Sequence, residues 1–305
     1  MAPCSSSWQK WSAEKLINAF FPQHLADYAQ KALLYEVTLS PKPGLVDPLT
    51  TGAHTDMDVF TFMDSIVSLR PFLEQYVAIG ISHQGEPAAL FKKLRKTGAS
   101  AEEKMLQATN NVNTHKGANF SFAVILGATG FYLQNKENFR LPLSAKDSEA
   151  ILALSSQMTQ HLVLEDFVDL ESKPSLTYGE KLYLTYGITG IRGEAAAGYP
   201  SLSQKLLPYL RKLETPTLEE TLLRALIFLM SEIEDSNLLH RGGFEAWKTV
   251  KAESKKIHQA ALDNKELLDE LRQYDMLLTQ RHLSPGGSAD LLALGIYFAQ
   301  LEGLL

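Results

Sequence analysis

Side chains able to grip an anionic ligand are crowded into five glycine-rich segments of this 305-residue chain. The first runs from Glu36 through Pro41-Lys-Pro-Gly-Leu-Val-Asp47 to Gly52-Ala-His-Thr-Asp-Met-Asp58, and the second is Asn113-Thr-His-Lys-Gly117. The third, Tyr186 to Pro200, contains Arg192-Gly-Glu194; the fourth is Asp235-Ser-Asn-Leu-Leu-His-Arg-Gly-Gly243 and the fifth Leu283-Ser-Pro-Gly-Gly-Ser-Ala-Asp290. Eleven of the 19 glycines fall in these segments, and four of the eight histidines (His54, His115, His240, His282) lie in or beside them.

Lys116 stands at the predicted start of an apolar helix over Ala118 to Gln134, where the helix dipole disfavours a cation unless a phosphate or carboxylate answers it. The alternative is a solvated lysine beside a helix capped by Thr114. Gly286, Gly287 and Ser288 lead into another helix, so their backbone N–H groups could approach a phosphate, or Ser288 could simply be its N-cap. Arg192 and Arg241 sit beside small residues that leave a guanidinium fork free for bidentate phosphate contact, or for a surface ion pair. Asp47, Asp56 and Asp58 with His54 supply hard ligands suited to Mg²⁺, although Thr55 and Asp58 also read as a capping box.

The elements that must position these loops are helical. Leu occurs 49 times and Ala 30 times, against 10 Val and 12 Ile, a balance that favours helix because unbranched side chains lose little rotamer freedom there. Phe62, Ile66, Leu69, Leu73 and Val77 recur at helical spacing, as do Leu222, Leu226, Leu229 and Ile233 within Leu218 to Glu234. Further helices are predicted over Glu14 to Ser40, broken near Pro22, and over Lys104 to Thr109, Lys146 to Leu170, Tyr178 to Tyr186, Ser201 to Leu213, Phe244 to Arg281 and Ser288 to Leu301. Asn135 to Ser144 reads as an exposed loop. The fold class is all-α: one multi-helix domain over 1–305, residues 1–12 loose, with the glycine-rich loops at helix ends forming one site.

A formal charge of −6, from 29 Lys plus Arg against 35 Asp plus Glu, argues against a dedicated nucleic-acid binder, which needs rows of cations. It leaves room for a local positive pocket. The single cysteine, Cys4, excludes a disulfide framework. Phe120 to Leu133, the longest mostly apolar stretch, is too short to span a bilayer. A cytoplasmic protein with no membrane partner is expected.

Taken together and in order, these motifs resemble the triphosphoribosyl-dephospho-coenzyme A synthase family, which prepares the prosthetic-group precursor of citrate lyase. The resemblance implies an all-helical transferase. It would join ATP to 3′-dephospho-coenzyme A, giving 2′-(5″-triphosphoribosyl)-3′-dephospho-coenzyme A and adenine, with Mg²⁺ inferred from the ATP and no tightly bound organic cofactor. The expected partners are those two small molecules and, functionally, the transferase that loads the apo-citrate lyase acyl carrier; a homodimer is allowed. In this frame Glu36, His115, Glu194, Asp235 and Asp290 are the candidate catalytic groups, His115 as a proton donor to adenine because an unperturbed histidine titrates near neutrality. Lys42, His54, Asn113, Lys116, Arg192, Arg241, Gly286, Gly287 and Ser288 are the substrate-binding candidates, and Asp56 and Asp58 the metal ligands. The sequence departs from the family pattern at Asn111, Asn119 and Ser236, where glycine, an apolar residue and threonine are expected. The same reaction serving malonate decarboxylase, an ATP N-glycosidase, and a non-catalytic nucleotide-binding module stand as alternatives.

Overall fold

Helices and their connections account for the described residues, with no strand among them: α1 (Ala13–Thr38), α2 (Val59–Ser82), α3 (Pro87–Ala108), α4 (Lys116–Gln134), α5 (Ala145–Thr159), α6 (Leu162–Asp166), α7 (Tyr178–Tyr186), α8 (Gly190–Ala196), α9 (Leu207–Leu210), α10 (Leu218–Glu232), α11 (Ser236–Gln259), α12 (Asn264–Gln280) and α13 (Gly286–Leu301). The computed structural model describes residues 13–134, 136 and 141–305. The expected loose segment 1–12, Cys4 and half of the expected loop 135–144 lie outside the described residues.

A helix apolar on every side has to be enclosed by other elements, and two helices are of this kind. In α4 buried residues run from Ala118 to Leu133, and in α13 from Ser288 to Leu301 without a gap except Asp290. One contiguous core cluster joins them to α1, α2, α3, α5, α10, α11 and α12. The crossing of α2 and α4 is set by glycines. A Cβ on Gly80 would stand 2.2 Å from the Gly127 carbonyl oxygen, and one on Gly130 would stand 2.4 Å from that of Val77. Both backbones meet without a side chain between them. No helix of the described residues is long and apolar enough to cross a membrane.

Several helix ends differ from the sequence expectation. α1 continues through Pro22, as α2 does through Pro71, because one missing donor does not undo the surrounding turns. α3 extends over Pro87–Ala108 rather than Lys104 to Thr109; its buried positions Leu90, Phe91, Leu94, Ala101 and Met105 are spread thinly among lysines, and Pro87 suits a first helical position that needs no N–H donor. The single helix expected over 146–170 stops at Thr159, and Asp169 in the left-handed region (φ 52°) bars regular continuation beyond α6. The helix expected over 244–281 divides where Asp263 and Glu266 form a capping box that starts α12. α11 begins earlier, at Ser236, and crosses the double glycine with a kink at Gly243 (φ 75°, ψ −173°).

The glycine contacts between α2 and α4 generate a stability prediction. Gly80→Ala should lower stability by about 1–3 kcal/mol, the cost of overpacking a closed contact, whereas Gly98→Ala in α3, with only the Tyr76 hydroxyl 3.8 Å away, should be neutral or stabilising by helix propensity. Denaturant unfolding of both variants checks this; equal midpoints would refute the close-approach argument.

Candidate active site

The five glycine-rich segments converge. A cleft of about 750 Å³ is lined by Glu36 and Lys42, by His54 and Asp56, by Asn113 to Gly117, by residues of α8 including Glu194, by Glu234 and Arg241, and by Gly286, Gly287 and Asp290.

Local hydrogen bonding explains why the 39–58 segment folds inward. The Asp47 carboxylate accepts from Ser40 Oγ (2.7 Å) and from the N–H groups of Lys42 (3.3 Å), Leu49 (2.7 Å) and Thr50 (2.8 Å). Asp47 is thereby committed to shaping the loop. Gly44 (φ 71°) takes a conformation open to glycine, and a Cβ there would lie 2.2 Å from the Leu283 carbonyl oxygen. The result places Lys42 at the cleft floor, 2% exposed, with Nζ 2.5 Å from Glu36 Oε1. A buried ion pair of this kind has its charges largely spent on each other.

Asp235 is 1% exposed and accepts five hydrogen bonds. Two come from Asn237 and Leu238 N–H, capping α11; the others come from Gly287 N–H, Ser288 N–H and Ser288 Oγ at the start of α13. One carboxylate thus faces the positive ends of two helices. Gly287 and Ser288, expected to offer backbone donors to a phosphate, give them to Asp235 instead, and Ser288 is fully buried. Burial pushes the Asp235 carboxyl up while these donated bonds oppose the shift.

Asp290 is the contrasting carboxylate. It lines the cleft, has no hydrogen-bond or salt-bridge partner among the described residues, and packs so closely on α4 that a Cβ on Gly117 would stand 2.2 Å from its Oδ2. Burial, and then the neighbouring Glu36 and Asp235 carboxylates, raise it well above the ordinary carboxylate range. On α8, also lining the cleft, Glu194 accepts from Ser201 Oγ (2.7 Å) and Ser201 N–H (3.2 Å), and burial raises its carboxyl too. Glu234 beside it is exposed; partial desolvation raises its carboxyl, the Lys251 ammonium opposes the shift and Glu194 adds to it.

His115 is 2% exposed. Burial, then the Lys42 ammonium, lower it to about 3, so the ring is neutral at physiological pH and the premise of a histidine titrating near neutrality does not hold at this position. One ring nitrogen is held by hydroxyls. Thr114 Oγ1 donates to Ser65 Oγ (2.8 Å), which in turn hydrogen-bonds His115 Nδ1 at 2.7 Å. Nε2 is buried and without a partner. Asn113 Oδ1, rather than Thr114, accepts the Lys116 N–H at the start of α4 (3.2 Å).

The remaining expected residues are placed less uniformly. Arg241 ties two loops together, donating to the carbonyls of Ala53 (3.0 Å) and His282 (3.4 Å) and to His54 Nδ1 (3.0 Å), while His54 Nε2 contacts Ser284 Oγ (3.0 Å). Burial and then Arg241 lower the His54 pKa, so this ring is neutral as well. Lys116 is exposed at the cleft edge with Nζ 2.6 Å from Glu102 Oε1. Arg192 does not line the cleft; its Nε pairs with Asp166 Oδ2 (2.7 Å). Asp58 lies outside it too, as the N-cap of α2 in a capping box with Thr61. Asp56 is exposed, 3.7 Å from His54 Nδ1, and no three His, Cys, Asp or Glu side chains among the described residues are grouped to hold a metal ion. Glu234, Ser65 and Glu102 were missed from sequence, since each lies outside the glycine-rich segments. Asn119, one of the departures, accepts from the Tyr76 hydroxyl (2.8 Å) and donates to Gly98 O (3.1 Å), so its polarity stitches α4 to α2 and α3.

Residues 22–305 match the CitG family, described as ATP:dephospho-CoA triphosphoribosyl transferase. A protein of Streptococcus mutans serotype c named probable 2-(5″-triphosphoribosyl)-3′-dephosphocoenzyme-A synthase is 49% identical over 291 residues, covering 92% of this chain and 97% of the relative. Proteins of the same name from Streptococcus equi subsp. zooepidemicus (51% identity; 91% and 96% covered) and Streptococcus pyogenes serotype M49 (49%; 92% and 97%) are similarly close. No solved structure matches the chain.

The raised Asp290 carboxyl has a thermodynamic sign. Its folded pKa exceeds the unfolded value of about 3.9, so its ionisation costs stability that is absent below that value and accumulates as pH rises toward the folded pKa. Asp290→Asn should therefore raise the melting temperature near pH 8, by on the order of 2 °C, and the gain should vanish below about pH 4. A destabilised variant at pH 8 would contradict the unpaired, like-charge setting.

Proposed function

The chain belongs to the ATP:dephospho-CoA triphosphoribosyl transferase family, and on that premise we propose that the cleft joins ATP to 3′-dephospho-coenzyme A, giving 2′-(5″-triphosphoribosyl)-3′-dephospho-coenzyme A and releasing adenine. The bond between adenine N9 and the ATP ribose C1′ breaks, and a bond from the acceptor ribose 2′-oxygen to the same carbon forms. One proton leaves the hydroxyl and one joins the departing adenine. The triphosphate stays on its ribose.

The single observation that carries this reading is that several carboxyls with raised pKa line one cleft. Groups of this kind are suited to trading protons near neutral pH. Asp290, unpaired and beside Glu36, is the base that accepts the hydroxyl proton; once ionised it faces the positive charge developing on C1′, as a carboxylate does in glycoside chemistry. Glu194, with Glu234 beside it, is the acid that protonates adenine. His115, neutral and with Nε2 unpartnered, contributes a hydrogen-bonding nitrogen rather than a charge. Lys116 and Arg241 at the rim are the cations for the triphosphate, with Asn113 and His54 beside them, while Lys42 stays paired with Glu36 on the floor.

The residues present do not make a resident metal cage, so Mg²⁺ is proposed to arrive with ATP as part of the substrate; Asp56 is the exposed carboxylate nearest that route. The product's place is in preparing the prosthetic group of the citrate lyase acyl carrier, handed to a separate transferase in the cytoplasm.

Incubation with ATP, Mg²⁺ and dephospho-coenzyme A should release free adenine in proportion to acceptor consumed; ADP or pyrophosphate as the nucleotide product, or adenine release without acceptor, would overturn the assignment. Asp290→Asn should lower kcat by about 10²–10⁴-fold, the range for a lost general base, with ATP affinity nearly unchanged. In the wild type the acid limb of kcat/KM should lie above the ordinary carboxylate range, because the base works only when deprotonated and its pKa is raised.

A further inference from the structure

A second cavity of about 270 Å³ opens beside the cleft and shares Lys116, Gly117 and Ile191 with it. Its floor is apolar, built by Phe91, Leu94, Phe120 and Ala123 between α3 and α4. Its mouth carries Arg95, Arg192 and Lys116 against Asp166 and Glu102, the last paired with Lys116. Arg95 Nη2 and Arg192 Nε both bind the Asp166 carboxylate, at 2.7 Å each, so two guanidinium charges meet one negative charge and Arg192 keeps both terminal nitrogens uncommitted to any hydrogen bond among the described residues.

We propose that this side cavity is the acceptor-arm subsite: it takes the pantetheine chain of dephospho-coenzyme A, with Arg95 and Arg192 meeting the diphosphate that precedes it. The proposal rests on the transferase reading above. A cleft of about 750 Å³ is of the size that holds one drug-sized ligand, whereas the reaction brings two nucleotides together, one with a long tail. Continuity decides where the tail goes. Gly117 lines both cavities and also touches Asp290, so an acceptor hydroxyl at Asp290 lies next to the mouth of the side cavity.

The floor's chemistry selects the arm over a base. Reading an adenine edge needs free donors and acceptors, and the Asn119 amide there is already committed to Tyr76 and Gly98. A gem-dimethyl group needs none. Guanidiniums at the entrance suit a diphosphate, which they can bind through paired N–H donors.

Ala99 is exposed on α3 at the cavity wall, so Ala99→Trp blocks the cavity without entering the core, and Arg95→Ala removes one entrance cation from the surface. Calorimetry with phosphopantetheine as the probe should show wild-type binding that dephospho-coenzyme A displaces and ATP does not. Ala99→Trp should abolish that binding and weaken dephospho-coenzyme A at least ten-fold, with ATP affinity within two-fold of wild type; Arg95→Ala should weaken dephospho-coenzyme A about three- to ten-fold. Phosphopantetheine displaced by ATP, ATP affinity lost in Ala99→Trp, or unchanged dephospho-coenzyme A affinity in both variants would overturn the subsite. Adenine release by the wild type reports on the reaction separately, so a failure of the transferase reading and a failure of the arm subsite give different results.

Discussion

The Asp235 carboxylate is the fixed point of the site. It receives donors from the first turns of α11 and α13 at once, so two helices that begin 50 residues apart in sequence start from a common anchor. Gly286 and Gly287 are small because that junction is tight: Cβ atoms there would stand 2.2 Å from Asn237 Nδ2 and 3.1 Å from the Asp235 carboxyl. Arg241 and Asp290 both follow from this anchor, one a turn and a half into α11, the other one turn into α13. A carboxylate that serves as scaffold in this way leaves the proton-transfer work to its neighbours.

The same logic separates the paired from the unpaired charges. Asp47, Asp235 and Asp58 have their oxygens occupied by backbone N–H groups, and Glu36 by Lys42. Asp290 has no such partner, and the charged groups that shift it, Glu36 and Asp235, share its sign. Uncompensated charge is costly to maintain in a folded protein, and it is concentrated at the one carboxylate that touches the glycine shared by both cavities.

Much of this was legible in the sequence where a residue's role is local. Glycine beside a charged residue marks a backbone that comes close to something, and all five such segments reach the cleft edge. The all-helical class followed from leucine and alanine over valine and isoleucine. What was not legible depends on partners remote in the chain. Arg192 reads in the sequence as a phosphate contact or an ion pair, and Asp166, which takes its Nε, lies in a segment without a motif. Asp235 is one of four candidate carboxylates in the sequence, and its role as a helix cap is not legible there because the helix is expected to begin at Phe244; only the folded chain shows α11 starting at Ser236 and running through Gly242-Gly243 with a kink. His115 could not be read as permanently neutral until Lys42 and the enclosing core were seen around it.

The glycine contact between α2 and α4 also bears on the border of the cleft. Gly127 and Gly130 lie in the C-terminal half of α4, while the residues that precede and open the helix, His115 to Gly117, line the cleft, so the depth at which α4 seats against α2 sets where that border stands. The chain that leads into α8 is held differently. A small apolar cluster of Leu182, Ile188 and Leu239 joins α7 and the turn after it to α11, and Tyr178 meets His240 while Tyr186 meets Phe244 through ring contacts. One border of the site thus rests on backbone against backbone, and the approach to the other on side chains alone.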